Sequence, residues 1–417
     1  MGYHKISETP NFMYNGEMVT PQKVTLQTAK TLLQFQAHFL LKNPVTLTGK
    51  ERIVDEFSKV NKLANYNSKN LKILSELLKF GSVSEYVFVN KKGYIDSKII
   101  PADEGTPVYN QHNEMIAFIQ SYVFDGIGYY TVFEEDVVKE YKHEGEAVHL
   151  IGQHANLSGL PIHYHSKSEY SEVEGRSALD DFMNLLDDME MLLSKTLDAT
   201  YTYFQGIPVL SGQRLNTANG IPKEIVGGGL VLDDGATFEF VSNELDIKAF
   251  EVLYDKLNQQ LLDVSATPAV SMNRTDVTNL SETSIRLLFS LAEVKASENE
   301  QYMREGMLER YERVRKLLAY RGIDICDDEF ATLDLLFKYN RPSNDKEQID
   351  NLKTLREIDG ISVESMLERN PYVNDVAQEI DRMEMEGMLK EDVRVDVTKE
   401  NIAENNWGKA NNSKDNE

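Results

Sequence analysis

Few side chains in this 417-residue chain have the types and spacing that chemistry needs. His163 and His165 form a His-x-His pair just after Pro161. On a strand, residues i and i+2 point to the same side, so two metal ligands could sit there. No third ligand stands nearby, and a metal site needs one together with an outer shell of hydrogen bonds. The pair reads as surface or packing histidines. Gly227-Gly-Gly229 precedes a strand, whereas a phosphate-cradling loop opens a helix, so it reads as a turn or bulge. Gly49-Lys50 ends like a P-loop, but the earlier glycine of that motif would fall on Pro44. Ser158-Gly159 does not complete a Gly-x-Ser-x-Gly elbow. The 68 acids are spread over many adjacent pairs, none set apart by a catalytic context, and read as solvated faces. The chain is therefore read as non-enzymatic, with no cofactor and no metal. One loop, 267–278, is different. It is polar, holds Asn273, Arg274, Thr275 and Asp276, and is longer than a plain helix–helix connection requires.

The elements around these residues follow from periodicity. Residues 1–24 are polar, with Pro10, Gly16 and Pro21, and read as an irregular arm. Leu32, Leu33, Phe35, Phe39 and Leu40 fall at helical spacing before Asn43-Pro44. Residues 45–47 read as a short strand, and 51–66 and 68–80 as helices, the second stopped by Gly81. From Tyr86 to Tyr141 the pattern is a meander of short strands. Residues 158–175 read as loop. Ser177 and Asp180 open a helix to Phe204, with Leu179, Phe182, Leu186, Met189, Leu193, Leu197 and Tyr201 on one stripe and Asp180, Asp181, Asp187, Asp188 and Glu190 in its first half. A β insert, 207–241, has a hairpin turn at Asp233-Asp-Gly235, and a second amphipathic helix spans 244–264 before Pro268. Asn279 and Glu282 then cap a helix reaching about Arg321, roughly 60 Å long at 1.5 Å per residue. A short strand at 332–339, two or three helices in 345–389, and a disordered tail at 391–417 holding Trp407 complete the α+β chain.

Composition narrows the function classes. The net charge of −24 argues against a tight nucleic-acid wrapper, which needs clustered Lys and Arg. The single cysteine, Cys326, excludes an intrachain disulfide and a Cys-based zinc site and fits a reducing compartment. No secretory leader and no run of about 20 apolar residues is found, so a soluble, intracellular protein with no membrane association is expected.

The order of parts resembles the portal proteins of tailed bacteriophages, in the branch common among siphophages of Gram-positive hosts. The similarity is carried by Phe39-Leu-Leu-Lys-Asn-Pro-Val-Thr46, by Gly81-Ser-Val-Ser-Glu-Tyr86, and by Ile100-Pro101 with Pro107-Val-Tyr109. It continues in Leu160-Pro-Ile162, Gly175-Arg-Ser177, Tyr339-Asn-Arg-Pro342, Asp359-Gly-Ile-Ser362 and Val373 to Glu386. Asn43 follows Lys42 where a Gly-Lys pair is usual, and residues before 25 align poorly.

That resemblance implies a ring-forming portal fold: an arm (1–24), a β-rich wing (25–176), stem helices (177–206 and 244–266), and a small β-containing clip (207–243). A tunnel loop (267–278), a long wing helix (279–329), a helical crown (330–390) and the tail (391–417) would follow. It implies that Met272, Asn273, Arg274, Thr275 and Asp276 face DNA and that Asp187, Asp188 and Glu190 line the channel wall. Arg214, Lys223, Asp233 and Asp234 would lie on the partner-docking clip. The implied partners are other copies in a ring, twelve in the virion, the terminase large subunit, the major capsid protein and scaffold, and a head–tail adaptor. Double-stranded DNA would pass through without sequence-specific binding. The implied places are the capsid portal vertex and, during assembly, the host cytoplasm. Two other readings stand beside it: an acidic metal-dependent hydrolase using His163 and His165, and a non-viral scaffold or adaptor. An acidic wall suits a conduit, because a basic one would grip the duplex.

Overall fold

Amphipathic runs and alternating runs both fold as their periods dictate, giving a mixed α+β chain. The computed structural model describes residues 3–14, 17–145, 147–171, 173–204, 207–212, 234–241, 247–269, 281–373 and 376–387. In chain order, a 3-10 turn (Lys5–Glu8) precedes β1 (Phe12–Tyr14), β2 (Glu17–Val19), α1 (Thr28–Leu41), β3 (Thr46–Thr48), α2 (Glu51–Ala64) and α3 (Tyr66–Phe80). Then come β4 (Ser82–Val89), β5 (Ile95–Ile100), β6 (Gly105–Tyr109), β7 (Met115–Phe124), β8 (Ile127–Phe133), β9 (Val137–Glu144), β10 (Ala147–Ala155) and β11 (Ile162–His165). A second 3-10 turn (Ala178–Asp181) leads to α4 (Met183–Phe204), β12 (Ile207–Ser211), β13 (Thr237–Val241), α5 (Ile247–Val264) and α6 (Glu282–Tyr320). The chain continues with α7 (Asp327–Phe330), β14 (Asp334–Leu336), α8 (Asp345–Glu357), α9 (Val363–Glu368) and α10 (Val376–Met385).

The chain divides into two compact units, Met1–Ser271 with Leu288–Arg341, and Met272–Leu287 with Pro342–Glu417. The first unit holds a five-stranded antiparallel sheet in the order β10-β9-β8-β7-β6 and a three-stranded sheet in the order β11-β4-β5. A cluster of Ile100, Phe118, Phe133, Val138 and Leu160, with Tyr86 and Met115 against it, forms a core at the sheets. The helical core is made by Leu32, Leu33, Phe39 and Leu40 of α1, Ile73, Leu74 and Leu77 of α3, and Met303, Met307 and Val314 of α6. In the second unit Asn344 caps α8 by accepting from the Glu347 amide at 3.2 Å, and Ser362 caps α9 by accepting from the Ser365 amide at 3.2 Å. Ile285, Leu352 and Leu367 are buried there.

Several boundaries differ from expectation. The arm before residue 25 is not irregular: it carries a 3-10 turn and the β1–β2 hairpin, and its backbone is bonded to α4. The meander extends past Tyr141 into β10, whose residues are mostly exposed and so lack an alternating signal. Residues 158–175 contain β11, where Ile162 and Tyr164 are buried and the two histidines are not. The helix expected from Ser177 begins at Met183, because Ser177 Oγ accepts from the Leu179 amide and sets a tight 3-10 turn ending at Phe182. By contrast, α5 ends at Val264, its expected last residue, with Ala266 left-handed at φ 51° beyond it. The expected cap Asn279, the strand at 229–232 and the tail 391–417 lie outside the described residues.

Candidate functional site

The long helix α6 is seated by a buried polar hub. Arg310 and Glu85 are both 0 % exposed. Arg310 donates from Nε to Glu85 Oε2 at 2.7 Å, from Nη1 to Asn70 Oδ1 at 2.7 Å and from Nη2 to the Tyr164 hydroxyl at 3.0 Å. Tyr164 donates in turn to Glu85 Oε2 at 2.8 Å, and Ser97 Oγ donates to Glu85 Oε1 at 2.5 Å. The Arg310 guanidinium carbon lies 4.4 Å from the Tyr66 ring centroid. Burial by itself is the largest influence and would disfavour the guanidinium charge, but Glu85 together with the Tyr164, Tyr66 and Tyr311 hydroxyls outweighs it, and the Arg310 pKa is raised. Burial pushes the Tyr164 hydroxyl far up, so it stays protonated and able to donate. Gly306 makes this possible, since a Cβ there would meet Tyr164 Cε1 at 2.2 Å. The hub thus joins α3, β4, β5, β11 and α6 into one rigid node.

α4 and α5 pack on each other and bury only part of their stripes. Phe182 just before α4 and Leu186 and Met189 in its first turns are buried, whereas Tyr201 is 58 % exposed. Among the described side chains of α5 only Leu261 is fully buried, and Val252 and Leu253 are 63 % and 49 % exposed. The three acids assigned to a channel wall separate. Asp188 is exposed and Asp187 half-buried. Glu190 departs from the expected open wall. It is 2 % exposed, accepts from the Leu26 amide at 2.7 Å, and shares a 2.7 Å hydrogen bond with His4 Nδ1. Helical period alone placed it among the solvated acids, and only the folded arm reveals its cover.

Met272, Asn273, Arg274, Thr275 and Asp276 lie outside the described residues, as do Arg214, Lys223 and Asp233. Asp234 is exposed in the turn before β13. β12 and β13 pair antiparallel from Ile207↔Val241 to Ser211↔Thr237.

His163 and His165 do share a side of β11, with ring centroids 5.9 Å apart. His163 Nδ1 is taken by a 2.9 Å hydrogen bond with Ser84 Oγ. Burial, then the neighbouring His165, pushes the His163 pKa down to about 4. Among the described residues no group of three or more His, Cys, Asp or Glu is placed to hold a metal ion. Among them, too, no helix is long and apolar enough to cross a membrane.

What the fold and these sites define is an α+β protein: a long helix fastened through the hub to the three-stranded β11-β4-β5 sheet, and a pair of helices with a β-hairpin between them in sequence. The chain matches the family described as "Phage portal protein, SPP1 Gp6-like" over residues 1–388, and it belongs to that family. The family is structural rather than catalytic. The portal protein of Bacillus phage SPP1 is 24 % identical over 396 residues, covering 86 % of this chain and 74 % of that protein. Among solved structures, the neck of an empty gene transfer agent particle, computed with C6 symmetry, matches at 9 % identity with a TM-score of 0.49, covering 81 % of this chain and 87 % of that one. The neck of the native particle, computed with C12 symmetry, matches at 10 % identity with a TM-score of 0.46, covering 82 % and 87 %.

Proposed function

We propose that this chain is the subunit of a closed ring, a dodecamer, at one vertex of a phage capsid, through which double-stranded DNA is packaged and later ejected. The observation that carries the proposal is the family match spanning residues 1–388. Apolar side chains left open on the helix pair, Tyr201 on α4 with Val252 and Leu253 on α5, support it, because such faces are covered when copies stand side by side.

In this reading residues 25–176 and the long helix form the wing, α4 and α5 the stem, 207–243 the clip and 330–390 the crown. The clip, with Arg214, Lys223, Asp233 and Asp234, docks the terminase motor and afterwards a head–tail adaptor. The capsid protein and scaffold meet the ring from the head side. Loop 267–278 faces the DNA, with Arg274 giving a local phosphate contact beside Met272, Asn273, Thr275 and Asp276. Asp187 and Asp188 keep the wall acidic, so that the duplex slides instead of adhering. ATP is hydrolysed by the motor and not by this chain. The protein would act at the virion's portal vertex after assembly in the host cytoplasm.

The test is negative-stain electron microscopy of the purified protein with native mass spectrometry. Closed rings of twelve or thirteen subunits, with a central hole of duplex width, are expected. A monomer or dimer that stays open even in the presence of its scaffold would overturn the reading.

A further inference from the structure

The N-terminal arm meets α4 in a regular pattern. The Gln22 amide donates to Asp198 Oδ1 at 2.9 Å, the Val24 amide to Ser194 Oγ at 2.9 Å, and the Leu26 amide to Glu190 Oε1 at 2.7 Å. Alternate amides of an extended segment therefore meet every fourth residue of a helix, running antiparallel to it. The two spacings match: two extended residues advance about 6.6 Å, and four helical residues about 6.0 Å. Further back, the arm returns to the same helix, where His4 Nδ1 shares the Glu190 oxygen at 2.7 Å. Lys23 Nζ ties the two passes together by donating to the Ser7 carbonyl at 2.8 Å.

The attachment joins these polar rungs to a small apolar contact: Ile6 and Pro21 are buried and Val24 and Leu26 half-buried, while Gln22, Lys23 and Thr25 are exposed. Ser194 and Glu190 beneath it are each 2 % exposed, and Glu190 Oε2 is a buried oxygen with no hydrogen-bond partner. A carboxylate held this way is costly to keep covered unless its few donors stay in place. Segments with few apolar contacts open below the global unfolding free energy.

We infer that the described arm residues, 3–14 and 17–26, are a releasable strap over one face of α4, with Glu190 as its lock. Closed, the strap withholds Glu190 and Ser194 from solvent and from any neighbour of α4. Open, it adds Glu190 to the acidic surface already carrying Asp187 and Asp188. This inference stands apart from the ring, since every contact lies within one chain.

Amide hydrogen exchange, read by mass spectrometry on the full chain, tests it. Amides in 20–27 should exchange at least tenfold faster than those of α3, while remaining protected relative to an unfolded peptide. Glu190→Ala should speed exchange in 20–27 at least tenfold and leave α3 unchanged. Ser194→Ala, which removes only the middle rung, should give a smaller increase confined to the same segment; it decides the matter if Glu190→Ala does not fold. In a Cys326→Ser background, Ser194→Cys should react with maleimide at a rate that follows strap exchange and not core exchange. Exchange of the strap in step with α3, or unchanged strap protection in the rung variants, would overturn the inference.

Discussion

Replacing Arg310 with Met removes the centre of the hub while keeping most of its volume. The three donors at 2.7, 2.7 and 3.0 Å are lost together, and Glu85, 0 % exposed, keeps only the Ser97 and Tyr164 hydroxyls. Breaking a buried pair by deleting one member costs about 3–5 kcal/mol, because the remaining charge is left uncompensated. With an m-value of about 3 kcal/mol/M, the urea midpoint of the transition should fall by roughly 1–2 M, followed by far-ultraviolet circular dichroism. Glu85→Gln alone removes the charge that needs a partner but strands the guanidinium, and should cost a similar amount. The double variant should be less damaged than the sum of the two by about 1–3 kcal/mol. Arg310→Lys keeps the charge but not the planar fork that reaches Glu85, Asn70 and Tyr164 at once, so it should fall between wild type and Met. An Arg310→Met chain within about 1 kcal/mol of wild type, or a strictly additive cycle, would refute the claim that the pair anchors α6.

Gly306→Ala should destabilise by about 1–3 kcal/mol through the collision with Tyr164, outweighing the roughly 1 kcal/mol that Ala contributes to a helix interior; thermal melting checks the sign. The His163 pKa, pushed down to about 4 by burial, makes the unfolded chain the better proton acceptor. Stability should therefore fall as pH drops from about 6.5 toward 4, by up to about 3 kcal/mol, and His163→Gln should flatten that part of the melting-temperature profile. Arg274→Ala should lower the packaging rate or the length of DNA packaged in vitro; if both are unchanged, the loop has no DNA role.

Local pattern carried much of the fold. Apolar residues at helical spacing from Leu32 to Leu40 and from Leu71 to Leu78 became α1 and α3, and the left-handed Gly81, at φ 80°, stopped the latter where its lack of a Cβ said it would. The 39-residue α6 was legible from the Asn279–Glu282 start signal and the Gly322 stop. The absence of a catalytic or nucleotide motif, the acidity and the serial resemblance to portal proteins were also properties of the sequence, and the family match agrees with the last of these.

Contacts between distant residues were not legible. Arg310 reads as one more cation on a basic helix half, yet folding buries it against a glutamate 225 residues away. Glu190 reads as one more acid on an acidic turn, yet the arm covers it from 164 and 186 residues away. His163 reads as a surface or packing histidine, but that its Nδ1 meets Ser84 follows only from β11 pairing with β4. Periodicity reports which side of its own element a residue occupies, because that is set by backbone geometry over a few residues. Whether that side faces water, a charge or a strap depends on which elements meet and in what register, and that is settled only when the whole chain packs.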